Sequence, residues 1–245
     1  MIPKTCRQGD PPGDDRLTNT EQFPHMGIER RNKHNAHVME ERAEVGRRTV
    51  YSLMPAGLHG ENGLSPAVGR QLIIAYVLPR MLHGLEALVL AESHVKILED
   101  YYRGMLRDIQ ALRDRTANEA VYLLIGLLPI EVELHIKALT LFGAICRLPE
   151  ESTLRRLAMQ QLAIKTEGSK SWFMYCRRIG EMYDINIISA LEYPSKKSTW
   201  KSNVALAVRT HWHSRLCRGG LRRSHLSHSC CCSTHTPTKP TKYGP

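Results

Sequence analysis

Between Gln71 and Leu112 the chain reads QLIIAYVLPRMLHGLEALVLAESHVKILEDYYRGMLRDIQAL, its densest apolar segment. The segment changes period along its length. A helix-like run leads into Pro79, an apolar run follows from Leu82 to Leu90, and a long amphipathic helix begins at about Ser93, the expected N-cap. In that helix Val95, Leu98, Tyr102, Met105, Ile109 and Leu112 recur at steps of three and four. One face is therefore apolar and has to be covered by neighbours, so the chain must build helix on helix.

The same period governs the flanks. Residues 36 to 53 predict a helix with Val38, Val45 and Leu53 inward and Glu40, Glu41, Arg47 and Arg48 outward. Ser65 and Pro66 open the next helix. Further helices are expected over 116–125, 131–146, 151–164 and from Trp172 to Met182, with a turn at 165–169. Pro194 and Ser195 break the chain before an amphipathic helix, residues 199 to 212, with Trp200, Val204, Val208 and Trp212 on its face. FPHMGI, Phe23 to Ile28, reads as a short edge strand. The expected fold is thus mainly all-α, an irregular helical array with at most a small strand pair. Its segments are a disordered leader, 1–21; a strand and helix, 22–66; a helical body, 67–192; a basic helix, 193–216; and a disordered tail, 217–245.

At 245 residues the chain can bury a sizeable core. Its apolar fraction of 42% and mean hydropathy of -0.33 suit a soluble protein. Apolar runs broken by Arg80, His83 and Glu86, or ended near Pro129, fall short of the roughly 20 residues of a membrane span, so no membrane partner is expected. MIPKTCRQGDPPGDD lacks the apolar stretch of a secretory signal, which points to an intracellular chain, cytoplasmic or nuclear. Net charge is +10, but it is not spread evenly. Ten Lys and Arg follow Glu192 and no acid does, whereas the first 192 residues carry 24 of each sign. Attraction to phosphate should come first from the C-terminal part.

Candidate sites for chemistry fail on context. Gly13, Asp14 and Asp15 mimic the paired aspartates of a polymerase but lack flanking apolar strands, so they read as a turn. Gly57, Gly60 and Gly63, in AGLHGENGLSP, suggest a phosphate cradle, yet no strand precedes them and no Lys-Ser/Thr follows. A helix-to-helix connection is expected there. Seven cysteines, an odd number without a signal peptide, argue against a disulfide framework. Cys146 and Cys176 read as buried thiols. Cys217, His225, His228, Cys230, Cys231, Cys232 and His235 offer zinc ligands, but three consecutive cysteines cannot all reach one tetrahedral ion and no C-x-x-C occurs. His59, His94 and His135 read as solvated or hydrogen-bonded side chains. No catalytic residue, metal site, cofactor or small-molecule substrate is expected.

Several segments, in order, resemble the C-terminal part of a non-LTR (LINE-type) retrotransposon reverse transcriptase. FPHMGIER, Phe23 to Arg30, resembles the segment closing the palm of those enzymes. GRRTVYSLMPAGLHGENGLSP, Gly46 to Pro66, and AYVLPRMLHGLEALVL, Ala75 to Leu90, are similar to the run that follows on the thumb side. AVYLLIGLLPIEVELHIKALTLFGAICR, SWFMYCRRIGEMYDI and PSKKSTWKSNVALAV extend the match to about Trp212. His83 stands where the family has Tyr, and Met26 where it has Leu; beyond Leu216 the similarity fades.

The family's fingers, its palm with three metal-binding aspartates, and its endonuclease lie upstream of the matched segments. The resemblance therefore implies a non-catalytic fragment of an RNA-directed DNA polymerase, and a role in holding a primer-template duplex, RNA/DNA or DNA. Candidate phosphate contacts are Arg47, Arg48, Arg70, Arg103 and Arg107, together with Lys196, Lys197, Lys201 and Arg209 around Trp200. Glu99, four residues before Arg103, is the expected ion-pair partner that would compete with phosphate. Two alternatives remain: a domesticated helical nucleic-acid-binding module, and a helical protein-interaction module using the Val95 to Leu112 stripe.

Overall fold

The chain is seen in a computed structural model that describes residues 22–25, 28–31, 36–60 and 62–222. Two strands, β1 (Gln22–His25) and β2 (Ile28–Arg31), pair antiparallel with Gln22 opposite Arg31 and Phe23 opposite Arg30. All further regular structure among the described residues is helical, as the periodicity predicts. α1 (Ala36–Leu53) packs along α4 (Glu92–Ile109). Between them lie α2 (Pro66–Leu72) and α3 (Leu78–Met81). Pro79 does not stop this run: the helix passes through it after a π-helical turn, Ile73–Val77. Proline lacks the N–H that would bond Ala75, and its ring crowds that carbonyl. Widening the turn just before it relieves the clash without ending the helix.

The loop after α1 is the expected helix-to-helix connection. Its amides are used internally: the N–H groups of Gly57, Leu58 and Leu64 donate to Met54, Leu53 and Gly57 carbonyls at 2.8, 3.2 and 2.8 Å. Gly57 is left-handed, φ 96°. Gly60 lies so close to the end of α4 that a Cβ there would sit 2.7 Å from the Asp108 carbonyl. Gly57 thus supplies a left-handed turn, and Gly60 and Gly63 allow close backbone approaches.

α5 (Asn118–Ile125), α6 (Ile130–Cys146), α7 (Thr153–Ile164), α8 (Trp172–Met182), α9 (Ile187–Glu192) and α10 (Lys197–Arg222) complete the array. Two apolar cores result. The first gathers Met39, Leu58, Ile73, Met81, Leu98 and Tyr102 with the start of α6. The second gathers Phe142, Phe173, Met174, Trp200, Val204 and Trp212 around the rest of it. α6 is buried on nearly all sides, not along one stripe. Gly143 is why α10 can approach it, since a Cβ there would overlap the Trp200 indole. Trp200 Nε1–H in turn donates to the Leu139 carbonyl at 2.8 Å, so the ring is held by shape and by one hydrogen bond.

Several expectations need correction. The N-cap of α4 is Ala91, not Ser93; its N–H donates to His94 Nδ1 at 3.4 Å. α5 starts at Asn118 because residues 113–116 form a turn, closed by the Thr116 N–H donating to the Arg113 carbonyl. α9 has no counterpart among the expected helices: six residues are too few for a readable period, although Asn186 caps it by accepting from the Ser189 N–H at 2.9 Å. α10 does not end near Trp212 or Leu216 but continues to Arg222, with Leu216 buried against the first core. The Val95 to Leu112 stripe needs no correction: neighbours cover it as expected, with Leu98, Tyr102 and Met105 buried and Val95, Ile109 and Leu112 packed against the first core. Packing also crosses residues 66 and 192, where the sequence suggested segment boundaries. The 1–21 leader, the 13–15 turn, Met26 and the tail beyond Arg222 lie outside the described residues.

Candidate nucleic-acid interface

The nine predicted contact residues divide by what already holds them. Arg47 pairs with Glu44 at 3.1 Å and lies 5.8 Å above the Tyr101 ring, while Arg48 approaches the same carboxylate at 4.0 Å. Arg70 Nε donates to the Gly126 carbonyl at 3.1 Å. Arg103 pairs with Asp100, three residues before it, and not with Glu99. Arg107 reaches across to α5, donating to the Thr116 carbonyl at 3.2 Å and to Asn118 Oδ1 at 2.7 Å. It is half-buried and acts as a clamp. Arg209 is exposed and pairs with Glu133 of α6 at 3.4 Å.

Lys196, Lys197 and Lys201 differ. They are exposed, and they make no ion pair among the described residues. Their placement follows from how α10 is buried. Trp200, Val204, Val208, Trp212 and Leu216 recur every four residues and face inward. The neighbouring stripe, one residue later, carries Lys197, Lys201, Arg209 and His213 along the helix edge. From Lys197 to Arg209 that edge spans about 18 Å. No acid occupies the first turn of α10, in contrast to α4, α5 and α6, which carry Glu92, Glu119, and Glu131 with Glu133. Lysines at a helix N-terminus oppose the macrodipole, and a phosphate there would satisfy both the lysines and the unpaired N–H groups. Trp200 itself belongs to the core and offers no exposed ring.

The structure also assembles a feature that no local pattern announced. A cleft of about 950 Å³ opens between α4, α6, α8 and α10. On one wall Glu99 turns inward, where it accepts from the Tyr122 hydroxyl and from the Ile130 N–H, the latter at 2.8 Å. Burial pushes its carboxyl up to about 7, against the stabilising pull of that N–H. On the other wall buried His135 shares a 2.7 Å hydrogen bond between Nδ1 and the Tyr183 hydroxyl, which also accepts from Trp212 Nε1–H at 2.8 Å. Burial lowers His135 to about 4, so the ring is neutral at physiological pH. Arg215 lies 4.7 Å from the Trp212 ring centroid, and Glu131 is raised by burial although Arg215 pulls it down.

This arrangement ties four helices together by paired polar groups. It does not set a nucleophile against a base. The sequence signal for Glu99 was misleading, because its i+4 relation to Arg103 suggested a surface pair. For His135, Tyr183 and Trp212 the hydrogen-bonded partners are 48 and 29 residues apart and nothing local connects them. Cys146 and Cys176 are buried as expected, burial raising the Cys146 thiol to about 11 and Cys176 further. Among the described residues no three His, Cys, Asp or Glu side chains are placed to hold a metal ion, and no helix is long and apolar enough to cross a membrane. Comparison with protein-family models, curated proteins and solved structures gives no match.

Proposed function

We propose that the chain corresponds to the C-terminal, post-palm part of a non-LTR retrotransposon reverse transcriptase and holds nucleic-acid duplex without performing chemistry of its own. The ordered resemblance from Phe23 to Trp212 supports this reading. The observation that carries it is the start of α10: Lys196, Lys197 and Lys201, exposed, without ion pairs among the described residues, and unopposed by any acid later in the sequence. These lysines would contact backbone phosphates, which positions a duplex without reading its sequence. Arg107, bonded to Thr116 and Asn118, serves the fold instead, and Arg103 is already paired with Asp100. Tyr51, Met54, Leu64, Val68, Ile74 and Tyr76 are all exposed, apolar surface of the kind a larger assembly covers.

Fluorescence anisotropy with an RNA/DNA hybrid, duplex DNA and single strands tests the proposal. Duplex binding that Lys196→Gln, Lys197→Gln and Lys201→Gln together weaken at least tenfold is the expected result. Duplex binding left unchanged by the triple substitution would sink it. Truncation at Pro194 is a poor test, because it removes Trp200, Val204, Val208 and Trp212 from the second core.

A further inference from the structure

α7 carries two apolar stripes, and the fold covers only one of them. Ala158 and Leu162 are buried in the second core, where α7 packs on α6 and α8. The other stripe, Leu154, Leu157, Gln161 and Ile164, advances by three, four and three residues, about 100° round the helix from the first. Leu154 is 50% exposed, Leu157 38% and Ile164 68%. Lone exposed apolar side chains, such as Leu124 on α5 and Leu206 on α10, are ordinary surface. A row at this spacing is instead the pattern by which two helices pack along a common seam.

The charges at the two ends of α7 decide what covers the row. Glu151, just before the N-cap Ser152, and Lys165, the C-cap, are exposed and make no ion pair among the described residues. Two heptads separate them, which sets both on one edge of the seam. When two such helices run antiparallel, Leu154 of each meets Ile164 of the other, and Leu157 meets Gln161. Glu151 then comes beside Lys165 of the second copy, twice by symmetry. A parallel pair brings neither to an opposite charge. From this self-complementarity we propose that α7 is the seam of a homodimer, two copies of this chain packed antiparallel through the exposed row and held in register by reciprocal Glu151–Lys165 pairs. The contact is isologous, so it closes at two copies. A 12-residue helix is about 18 Å long, and with Gln161 polar near the middle of the row such a seam lies at the small end of specific interfaces. The dimer therefore dissociates at micromolar concentrations. The seam uses none of the α10 lysines and needs no nucleic acid.

Sedimentation equilibrium of the full chain, free of nucleic acid, from about 1 to 100 μM tests the proposal. A monomer–dimer equilibrium is expected. Leu157→Glu should weaken it at least tenfold, and Gln161→Leu, which completes the apolar row, should strengthen it by a similar factor. Glu151→Lys and Lys165→Glu should each weaken it several-fold by setting like charges together, and the two combined should restore native association. Far-UV circular dichroism should be unchanged in every variant, since these side chains lie outside the core. A chain that stays monomeric over the whole range overturns the proposal. So does association that Leu157→Glu leaves unchanged, or charge reversals whose losses add in the double variant instead of cancelling.

Discussion

Replacing Glu99 by glutamine probes the polar interior most sharply. Glu99 and His135 occupy opposite walls of one cleft, and burial shifts each away from its charged form. For Glu99 the folded carboxyl titrates at about 7 against its usual 4.5. Between those values the folded chain holds a proton that the unfolded chain has lost. Its stabilisation is therefore complete below pH 4.5 and fades as pH rises through 7. For His135 the folded ring titrates at about 4 against 6.5. There the unfolded chain takes up the proton first, so stability is complete above pH 6.5 and falls as pH drops toward 4.

The two effects oppose each other over nearly the same window and flatten the native profile. Each has a ceiling of about 3 kcal/mol at about 1.36 kcal/mol per pH unit; partial solvent access at the cleft reduces this to about 1–2 kcal/mol. A glutamine amide in place of the Glu99 carboxyl can still accept from the Ile130 N–H and donate to the Tyr122 oxygen. Glu99→Gln should therefore match the native chain near pH 4.5 and exceed its stability by about 1–2 kcal/mol at about pH 8. Urea unfolding followed by circular dichroism, in steps across that pH range, measures this. A stability difference that does not change with pH would refute the reasoning.

Gly143→Ala should lower stability by about 2–3 kcal/mol, because its Cβ overlaps the Trp200 indole, whereas Gly168→Ala, with open space around it, should leave the melting temperature nearly unchanged. Arg107→Ala should cost about 1–2 kcal/mol and speed amide exchange over residues 112–118, since it releases the Thr116 and Asn118 acceptors; Arg103→Ala, which loses a pair with exposed Asp100, should cost little in the same denaturation assay. Substituting Lys196, Lys197 and Lys201 by glutamine should raise the thermal midpoint slightly, as removing cations from a helix N-terminus relieves their opposition to the dipole.

Helices long enough to show a period were legible in the sequence, and α1 was readable to its ends at Ala36 and Leu53. What the residues could not convey was tertiary. The π-turn before Pro79 depends on packing that keeps the helix going where local chemistry would stop it. α10 continues past Trp212 because Leu216 finds the first core, a contact with elements far upstream. Likewise the sequence favoured the C-terminal cations by charge balance alone, and only the fold shows that Arg107 holds α5 while Lys197 makes no ion pair among the described residues. Glu99 shows the reverse error, a residue read as surface charge by its spacing and drawn inward by Tyr122 and Ile130.

Duplex binding by the start of α10 is the central claim, and its salt dependence is the most direct measure of it. Each phosphate neutralised contributes a slope of about −0.9 in log K against log salt on B-form duplex. Three lysines thus account for a slope of about −2.7, or roughly a 40-fold loss of affinity between about 50 and 200 mM salt. The full chain and its triple Lys→Gln variant should be titrated side by side over that range. The account predicts that the variant's slope is shallower by about two to three. Equal slopes, or equal affinities at every salt concentration, would contradict it.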